Sequence, residues 1–229
     1  MLRNHIQTYN APKPDDLSVE PTHEVTVLLQ FIDCTIAGFL PYYQSIKDSY
    51  KENRISDSLV YYFNTCLREQ PYAGFPPFSF GKNPTQPNSD KETDIGVFIL
   101  TKNIKPVTIV EFEAKRLSES TKYKEYVSGL RGGIERFKRG EHASHLSVCG
   151  MFGYVQSRTA SEWISKINNW IEELSHSKKD TDIDWTNSTE KLHTIDTLEM
   201  IHKCSSLNTR SRGKSPILLL HYFINLYCK

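Results

Sequence analysis

Residues 94–115 read DIGVFILTKNIKPVTIVEFEAK and contain two extended apolar runs. Residues 95–100 are apolar on both faces, which is typical of a strand covered on both sides. Residues 107–115 form a second extended run, and the polar segment 101–106 between the two runs is short. The stretch therefore predicts a β-hairpin.

The segments around this hairpin have mainly helical periodicity. Apolar residues recur at helical spacing over 25–39, where Pro41 is expected to end the helix, and again from Glu52 until Pro71. Residues 71–93 hold five of the eleven prolines and predict a loop. The elements predicted after the hairpin are a helix at 122–139, a strand at 145–155, a helix at 160–174 and strands near 198–203 and 216–226. The pattern predicts an α/β (α+β) fold with a mixed central sheet flanked by helices.

Length and composition limit the class of protein. A chain of 229 residues, 38% hydrophobic and with a net charge of +1, predicts a single domain at 21–229 after a loose arm at 1–20. The longest aliphatic run, residues 217–220, is far shorter than the roughly 20 residues of a membrane span. The first residues lack an apolar leader, and the five scattered cysteines contain no Cys-x-x-Cys pair. We therefore expect a cytoplasmic protein without a membrane segment.

The second strand of the hairpin has a polar face. Strand side chains alternate, so Glu111, Glu113 and Lys115 point to one side while Phe112 and Ala114 point to the other. Taken alone, this pattern is typical of an ordinary half-exposed strand, because a Glu-x-Lys triplet occurs by chance in many proteins.

The register of the hairpin brings in a second carboxylate. If the hairpin folds symmetrically about residues 103 and 104, Asp94 lies opposite Glu113, with Cβ atoms about 4.5 to 5.5 Å apart. Two like charges beside an apolar strand are unfavourable unless a cation lies between them. Mg²⁺ binds carboxylate oxygens, so the pairing predicts a magnesium site, which a register slip of one residue would abolish.

Two further residues extend this candidate site. Lys115 lies two residues after Glu113 on the same face, where its ammonium group can reach a water or a phosphate oxygen. Glu52 lies on the core-facing stripe of its helix and is a candidate fourth member. The alternative for Glu52 is a favourable acidic residue in the first helical turn. His142 and His145 have no nearby thiolate to complete a tetrahedral metal site.

In order and context these residues resemble the PD-(D/E)XK, or restriction endonuclease-like, nuclease superfamily. The resemblance covers about residues 51–155 and implies an αβββαβ core. It implies that Asp94, Glu113 and the backbone carbonyl of Ala114 bind Mg²⁺ or Mn²⁺. It further implies that Lys115 is the catalytic lysine and that Glu52 is the helix acid. Thr93 stands where the family's proline would be, which departs from the motif.

Basic residues cluster after the motif. Residues 115–139 hold eight Lys or Arg against three Glu, a local balance of +5 in a chain of +1. A second basic loop precedes the last strand. For any one of them, a solvated helix face is an alternative to phosphate binding. The candidate nucleic-acid-binding residues are Arg116, Arg131, Arg136, Lys138, Arg139, Arg210, Arg212 and Lys214.

Three hypotheses follow from the sequence. The first is a metal-dependent nuclease, and more specifically a DNA endonuclease, for which the resemblance suggests prokaryotic defence as a setting. The second is an inactive nuclease-fold module that binds nucleic acid or a partner. The third is an unrelated α/β protein. A chain this short is expected to act as a homodimer or with a partner subunit if it cuts both strands.

Overall fold

The computed structural model gives the chain a mixed sheet with helices on both faces. The residues that it describes are 19–46, 50–69, 77–85, 91–100, 106–121, 124–129, 132–177, 183–185, 189–198, 200–211 and 213–226. Most of the arm expected at 1–20 lies outside these ranges. The α/β class and the mixed sheet flanked by helices are confirmed.

The described elements alternate between helices and strands along the chain. The helices are α1 (His23–Thr35), a 3₁₀ turn (Ile36–Gly38), α2 (Phe39–Ile46), α3 (Glu52–Glu69), α4 (Gly133–Arg139) and α5 (Ala160–His176). The strands are β1 (Phe78–Lys82), β2 (Ile95–Ile99), β3 (Val107–Leu117), β4 (Val148–Val155), β5 (His193–Leu198), β6 (Ile201–Asn208) and β7 (Ile217–Asn225).

The seven strands form one sheet in the order β1-β2-β3-β4-β7-β6-β5. β4 runs parallel to both of its neighbours, β3 and β7, and the other pairs are antiparallel. The carboxyl ends of β3, β4 and β7 therefore meet at one edge of the sheet. In open α/β sheets, ligands bind beside such ends.

At the end away from the turn, the hairpin of β2 and β3 has the register that the sequence predicts. Ile95 pairs with Phe112, and Val97 pairs with Val110. The same register continued by one residue places Asp94 opposite Glu113. The register shifts between Val97 and Phe98, so the symmetrical folding does not extend to the turn.

Both faces of the sheet are covered by helices. One face, with Phe112, Ala114 and Phe152, shares a hydrophobic core with α1, α2 and α3. The opposite face, with Leu117 and Met151, shares a core with α4 and α5. Because side chains of β3 alternate, Glu113 and Lys115 lie on the α4 side, and Glu113 is only 2% exposed. The half-exposed strand that the sequence allows as an alternative is not what forms.

Several expected element boundaries are wrong. Pro41 does not end the first helical segment, because it lies in the first turn of α2, where its missing N–H needs no intrahelical partner. The helix expected at 122–139 is replaced by turns among residues 124–129, followed by the short α4. Gly132 is the extended N-cap of α4, and a Cβ at Gly133 would collide with Met151 of β4. The two glycines thus begin the helix and bring it close to the sheet.

The sequence patterns also miss one strand and misplace another. The loop expected at 71–93 contains β1, whose residue Phe80 exchanges backbone hydrogen bonds with the Asn64 side chain at 2.8 and 3.0 Å. The strand expected near 198–203 overlaps the end of β5 at Leu198 and the start of β6 at Ile201, which are two antiparallel strands.

One helical segment, His23–Ile46, is long and apolar enough to cross a membrane by length and composition alone. The sequence predicts no membrane segment. In the fold, 44% of the most apolar window of this segment is buried. Core helices and signal sequences satisfy the same criterion, so the segment is weak evidence for a membrane span.

Candidate functional site

The candidate site forms where β3 continues beyond the end of its neighbour β2. β2 begins at Ile95, so the backbone N–H groups of Ala114 and Arg116 in β3 have no partner in that strand. The Ala114 N–H donates to Asp94 Oδ2 at 2.7 Å, and the Arg116 N–H donates to Glu52 Oε2 at 2.6 Å. The two carboxylates thus replace a strand partner and lie side by side along β3.

Glu113 is the centre of a buried charge cluster. Its Oε1 accepts hydrogen bonds from Lys115 Nζ at 2.7 Å and from Arg136 Nη1 at 3.0 Å. His142 Nδ1 lies 3.2 Å from its Oε2. The angles of this contact are not those of a hydrogen bond. Among the described residues, neither ring nitrogen of His142 has a hydrogen-bond partner. Three groups from three segments therefore hold one carboxylate.

These contacts keep Glu113 ionised. Burial would raise the pKa of Glu113, but its contacts with His142 and Lys115 outweigh burial and lower the pKa to about 2. Burial would likewise lower the pKa of Lys115, but the charges of Glu113, Glu52 and Asp94 raise it. Glu113 and Lys115 are therefore both charged at neutral pH.

Asp94 and Glu52 have the opposite perturbation. Burial, followed by the negative charge of Glu113, raises the pKa of Asp94. Burial also raises the pKa of Glu52, and the charges of Asp94 and Glu113 add to that effect. The cluster thus holds three mutually repelling carboxylates, which Lys115 and Arg136 compensate incompletely.

This excess of negative charge fits a divalent cation. Asp94 uses Oδ2 for its backbone hydrogen bond, and no described contact uses its Oδ1. In a strand the N–H and C=O of one residue point to the same side, so the Ala114 carbonyl faces the Asp94 side of β3. Oxygen donors from Asp94, Glu113 and Ala114 are the kind that Mg²⁺ or Mn²⁺ binds. Among the described residues no group of three or more His, Cys, Asp or Glu side chains is arranged to hold a metal, so the donor set has only two side chains and a carbonyl.

The candidate nucleic-acid-binding residues occupy very different environments. Arg116 and Lys214 are exposed, and Arg139 is exposed but pairs with Glu135 of the same helix. Arg136 faces Glu113 instead of the solvent. Arg131 and Arg212 lie outside the described residues.

Two of these assignments need correction. Lys138 is 1% exposed and donates to Glu190 and Thr209, so it does not reach a phosphate. Arg210 donates to the backbone carbonyls of Ser215 and Leu146 at 2.6 and 3.1 Å. It therefore ties two loops together, and neither side chain belongs to an open basic surface.

Sequence reasoning missed two groups at the site. The sequence pattern pairs His142 only with His145, whereas in the structure it contacts Glu113. Arg136, a candidate phosphate-binding residue from the sequence, also contacts Glu113. Both are distant from Glu113 in sequence, and no local pattern connects them to it. Thr93, which precedes Asp94, donates to Glu111 Oε2 at 2.9 Å and so has a structural partner.

No family model, curated protein or solved structure matches the chain. The functional interpretation therefore rests on the geometry and chemistry of these residues.

Proposed function

We propose that the chain is a metal-dependent nuclease of the PD-(D/E)XK type that hydrolyses phosphodiester bonds, with DNA as its substrate and prokaryotic defence as its setting. The observation that carries the proposal is the meeting of Asp94, Glu113 and Lys115 near the carboxyl end of β3, with Glu52 beside them. Carboxylates that share negative charge next to a lysine are what metal-assisted hydrolysis requires.

The order of elements around the site supports the same proposal. α3, β1, β2, β3, α4 and β4 follow one another as helix, three strands, helix and strand. This is the αβββαβ order that the resemblance implies. In this order α3 supplies Glu52, the start of β2 supplies Asp94, and β3 supplies Glu113 and Lys115.

In the proposed site, Asp94, Glu113 and the Ala114 carbonyl would hold Mg²⁺ or Mn²⁺. Such an ion, when bound, polarises a phosphoryl oxygen and lowers the pKa of a coordinated water. Glu113 suits this role because it is ionised at any physiological pH. Arg136 and His142 fix the carboxylate in place, so that its orientation costs little when substrate binds.

Lys115 would act on the reacting groups. Its ammonium, held 2.7 Å from Glu113 Oε1, can donate hydrogen bonds to the attacking water and to a non-bridging phosphate oxygen. In the reaction, the water oxygen forms a bond to phosphorus and the water gives up one proton to the solvent. The bond between phosphorus and the leaving sugar oxygen breaks, and that oxygen takes up one proton from the solvent, so that one water is consumed for each bond cut. The positive charge of Lys115 stabilises the negative charge that develops on the phosphate.

A specific observation favours a second candidate, an inactive nuclease-fold module that binds nucleic acid. Glu113 already has both oxygens in contact with Lys115, Arg136 and His142. A carboxylate compensated in this way can be a purely structural ion-pair centre. If Glu113 is to bind a metal ion, at least one of its contacts with Lys115, Arg136 and His142 must break.

Incubation of the purified chain with supercoiled DNA, linear DNA and RNA separates these candidates. The nuclease proposal predicts cleavage with Mg²⁺ or Mn²⁺ and none with EDTA. Binding of nucleic acid without cleavage in Mg²⁺, in Mn²⁺ and in EDTA supports the inactive module instead. Sedimentation of the chain with and without DNA tests whether it acts as a homodimer.

A further inference from the structure

An exposed aromatic side chain, Tyr50, lies at the edge of the candidate site. Its side chain is 55% exposed. Tyr50 directly precedes Lys51 and Glu52 at the start of α3. The exposed ring therefore lies two residues before Glu52 of the candidate site.

The backbone at Tyr50 is fixed to the end of the sheet. Gln156, which follows β4, donates from Nε2 to the Tyr50 carbonyl at 2.7 Å. The Gln156 N–H in turn donates to the Leu117 carbonyl at the end of β3 at 2.8 Å. Tyr50 is therefore tied to the same strand end that carries Lys115.

The ring of Tyr50 is also supported from one side. It makes an edge contact with the buried Tyr43 of α2, with ring centroids 6.0 Å apart and planes at 70°. Such packing limits the rotamers of Tyr50 while more than half of the side chain stays open to solvent. A ring that is held and open is suited to stack on a flat ligand.

The surroundings identify the ligand by charge. Glu52, two residues after Tyr50, accepts the backbone N–H of Arg116, and the Arg116 side chain is exposed. An exposed aromatic ring and an exposed cation at one strand end match a nucleobase joined to a phosphate.

We infer that Tyr50 is a stacking platform for an unpaired nucleobase next to the bond that is cut, and that the substrate is a nucleic acid with single-stranded character there. The inference rests on the proposed function and adds a substrate preference to it. A base within a continuous duplex has both faces covered by its neighbours, so it cannot stack on Tyr50 without leaving the helix. An unpaired base has a face available at little cost.

The test measures binding in EDTA, where cleavage does not interfere. Fluorescence anisotropy with labelled single-stranded and duplex oligonucleotides is compared for the wild type, Tyr50→Ala, Tyr50→Leu and Tyr50→Phe. Tyr61→Ala is the matched control, because Tyr61 lies further along α3, is 58% exposed and stacks on Tyr42. Circular dichroism of each variant reports on its fold, and Tyr50→Leu keeps an apolar contact to Tyr43 if Tyr50→Ala unfolds.

The expected result is a loss of single-strand affinity of about fivefold or more in Tyr50→Ala and Tyr50→Leu, because base stacking contributes about 1 to 3 kcal/mol. Tyr50→Phe keeps the affinity, and duplex affinity changes little in all three variants. Unchanged single-strand binding in folded Tyr50→Ala and Tyr50→Leu overturns the inference. So does an equal loss for duplex DNA, or an equal loss in Tyr61→Ala.

The proposed function and this inference fail in different measurements. If the wild type cleaves nucleic acid but its binding affinity does not depend on Tyr50, only the stacking inference is contradicted. Binding that depends on Tyr50 without any cleavage keeps the platform and removes the nuclease.

Discussion

Replacement of Glu113 by glutamine is the most informative perturbation of the buried cluster. The change keeps the size of the side chain and removes its charge. Lys115 and Arg136, which lie 2.7 and 3.0 Å from Glu113 Oε1, then lose their common counter-ion. Both cations are largely buried, so solvent compensates them poorly.

Two routes give the same order of magnitude for the loss. A fall of the Glu113 pKa from its ordinary 4.5 to about 2 corresponds to about 3 kcal/mol of stability at neutral pH. Removal of one partner from a buried ion pair costs about 3 to 5 kcal/mol in other proteins. We therefore expect Glu113→Gln to lower the free energy of unfolding by about 3 kcal/mol at neutral pH.

The pH dependence has a definite sign. The pKa of Glu113 is lower in the folded chain than in the unfolded chain, so its contribution is fully present above a pH of about 4.5. It is lost as the pH falls from about 4.5 to about 2. The difference between wild type and Glu113→Gln should shrink over this window.

Urea denaturation at neutral pH and at several acidic pH values measures both effects. Glu119→Gln is the control, because Glu119 is an exposed acid just after β3. A free energy of unfolding for Glu113→Gln within about 0.5 kcal/mol of the wild type at neutral pH would refute the reasoning, since that is the size of a surface effect.

Three further outcomes are expected. Asp94→Asn should raise the midpoint of thermal unfolding in EDTA at neutral pH, because burial and the charge of Glu113 disfavour the ionised form of Asp94. The pKa of Asp94 in the folded chain is raised above 3.8, so the wild-type side chain becomes protonated in acid and the difference between the two proteins should vanish there. Calorimetry should show Mg²⁺ binding to the wild type and none to Asp94→Asn, and equal binding would remove Asp94 from the metal site. Lys138→Met should lower the free energy of unfolding by about 3 kcal/mol or more, because it removes the buried ammonium that neutralises Glu190. It should keep the salt dependence of DNA binding, whereas Arg116→Ala should flatten that slope by about one.

The sequence predicts the fold best where one period dominates. The alternation of β3 continues over 11 residues and the apolar stripe of α3 runs along a helix of 18 residues. The predicted boundaries of both elements are therefore nearly correct. β1 has only five residues and includes Gly81, and its contact with Asn64 is tertiary, so no local pattern marks it. The residues around Gly132 have helical spacing, but the close approach of α4 to Met151 determines where the helix begins.

The sequence predicts only the part of the candidate site whose positions follow from strand geometry. Alternation and register place Asp94, Glu113 and Lys115 together, because all three belong to one hairpin. The side chains that complete the cluster come from α4 and the loop after it, and their positions depend on helix packing. A count of basic residues could not distinguish Arg136, which faces Glu113, from the exposed Arg116, or predict that Lys138 is buried.

The most direct test of the nuclease proposal compares wild type and Lys115→Ala on the same supercoiled DNA with Mg²⁺. Lys191→Ala is the matched control, because Lys191 also pairs with a glutamate, Glu172, at 3.1 Å beside α5. We expect Lys115→Ala to lose cleavage while its DNA affinity, measured in EDTA, stays within a few-fold of the wild type, and Lys191→Ala to cut normally. Equal cleavage by wild type and Lys115→Ala would contradict the proposal.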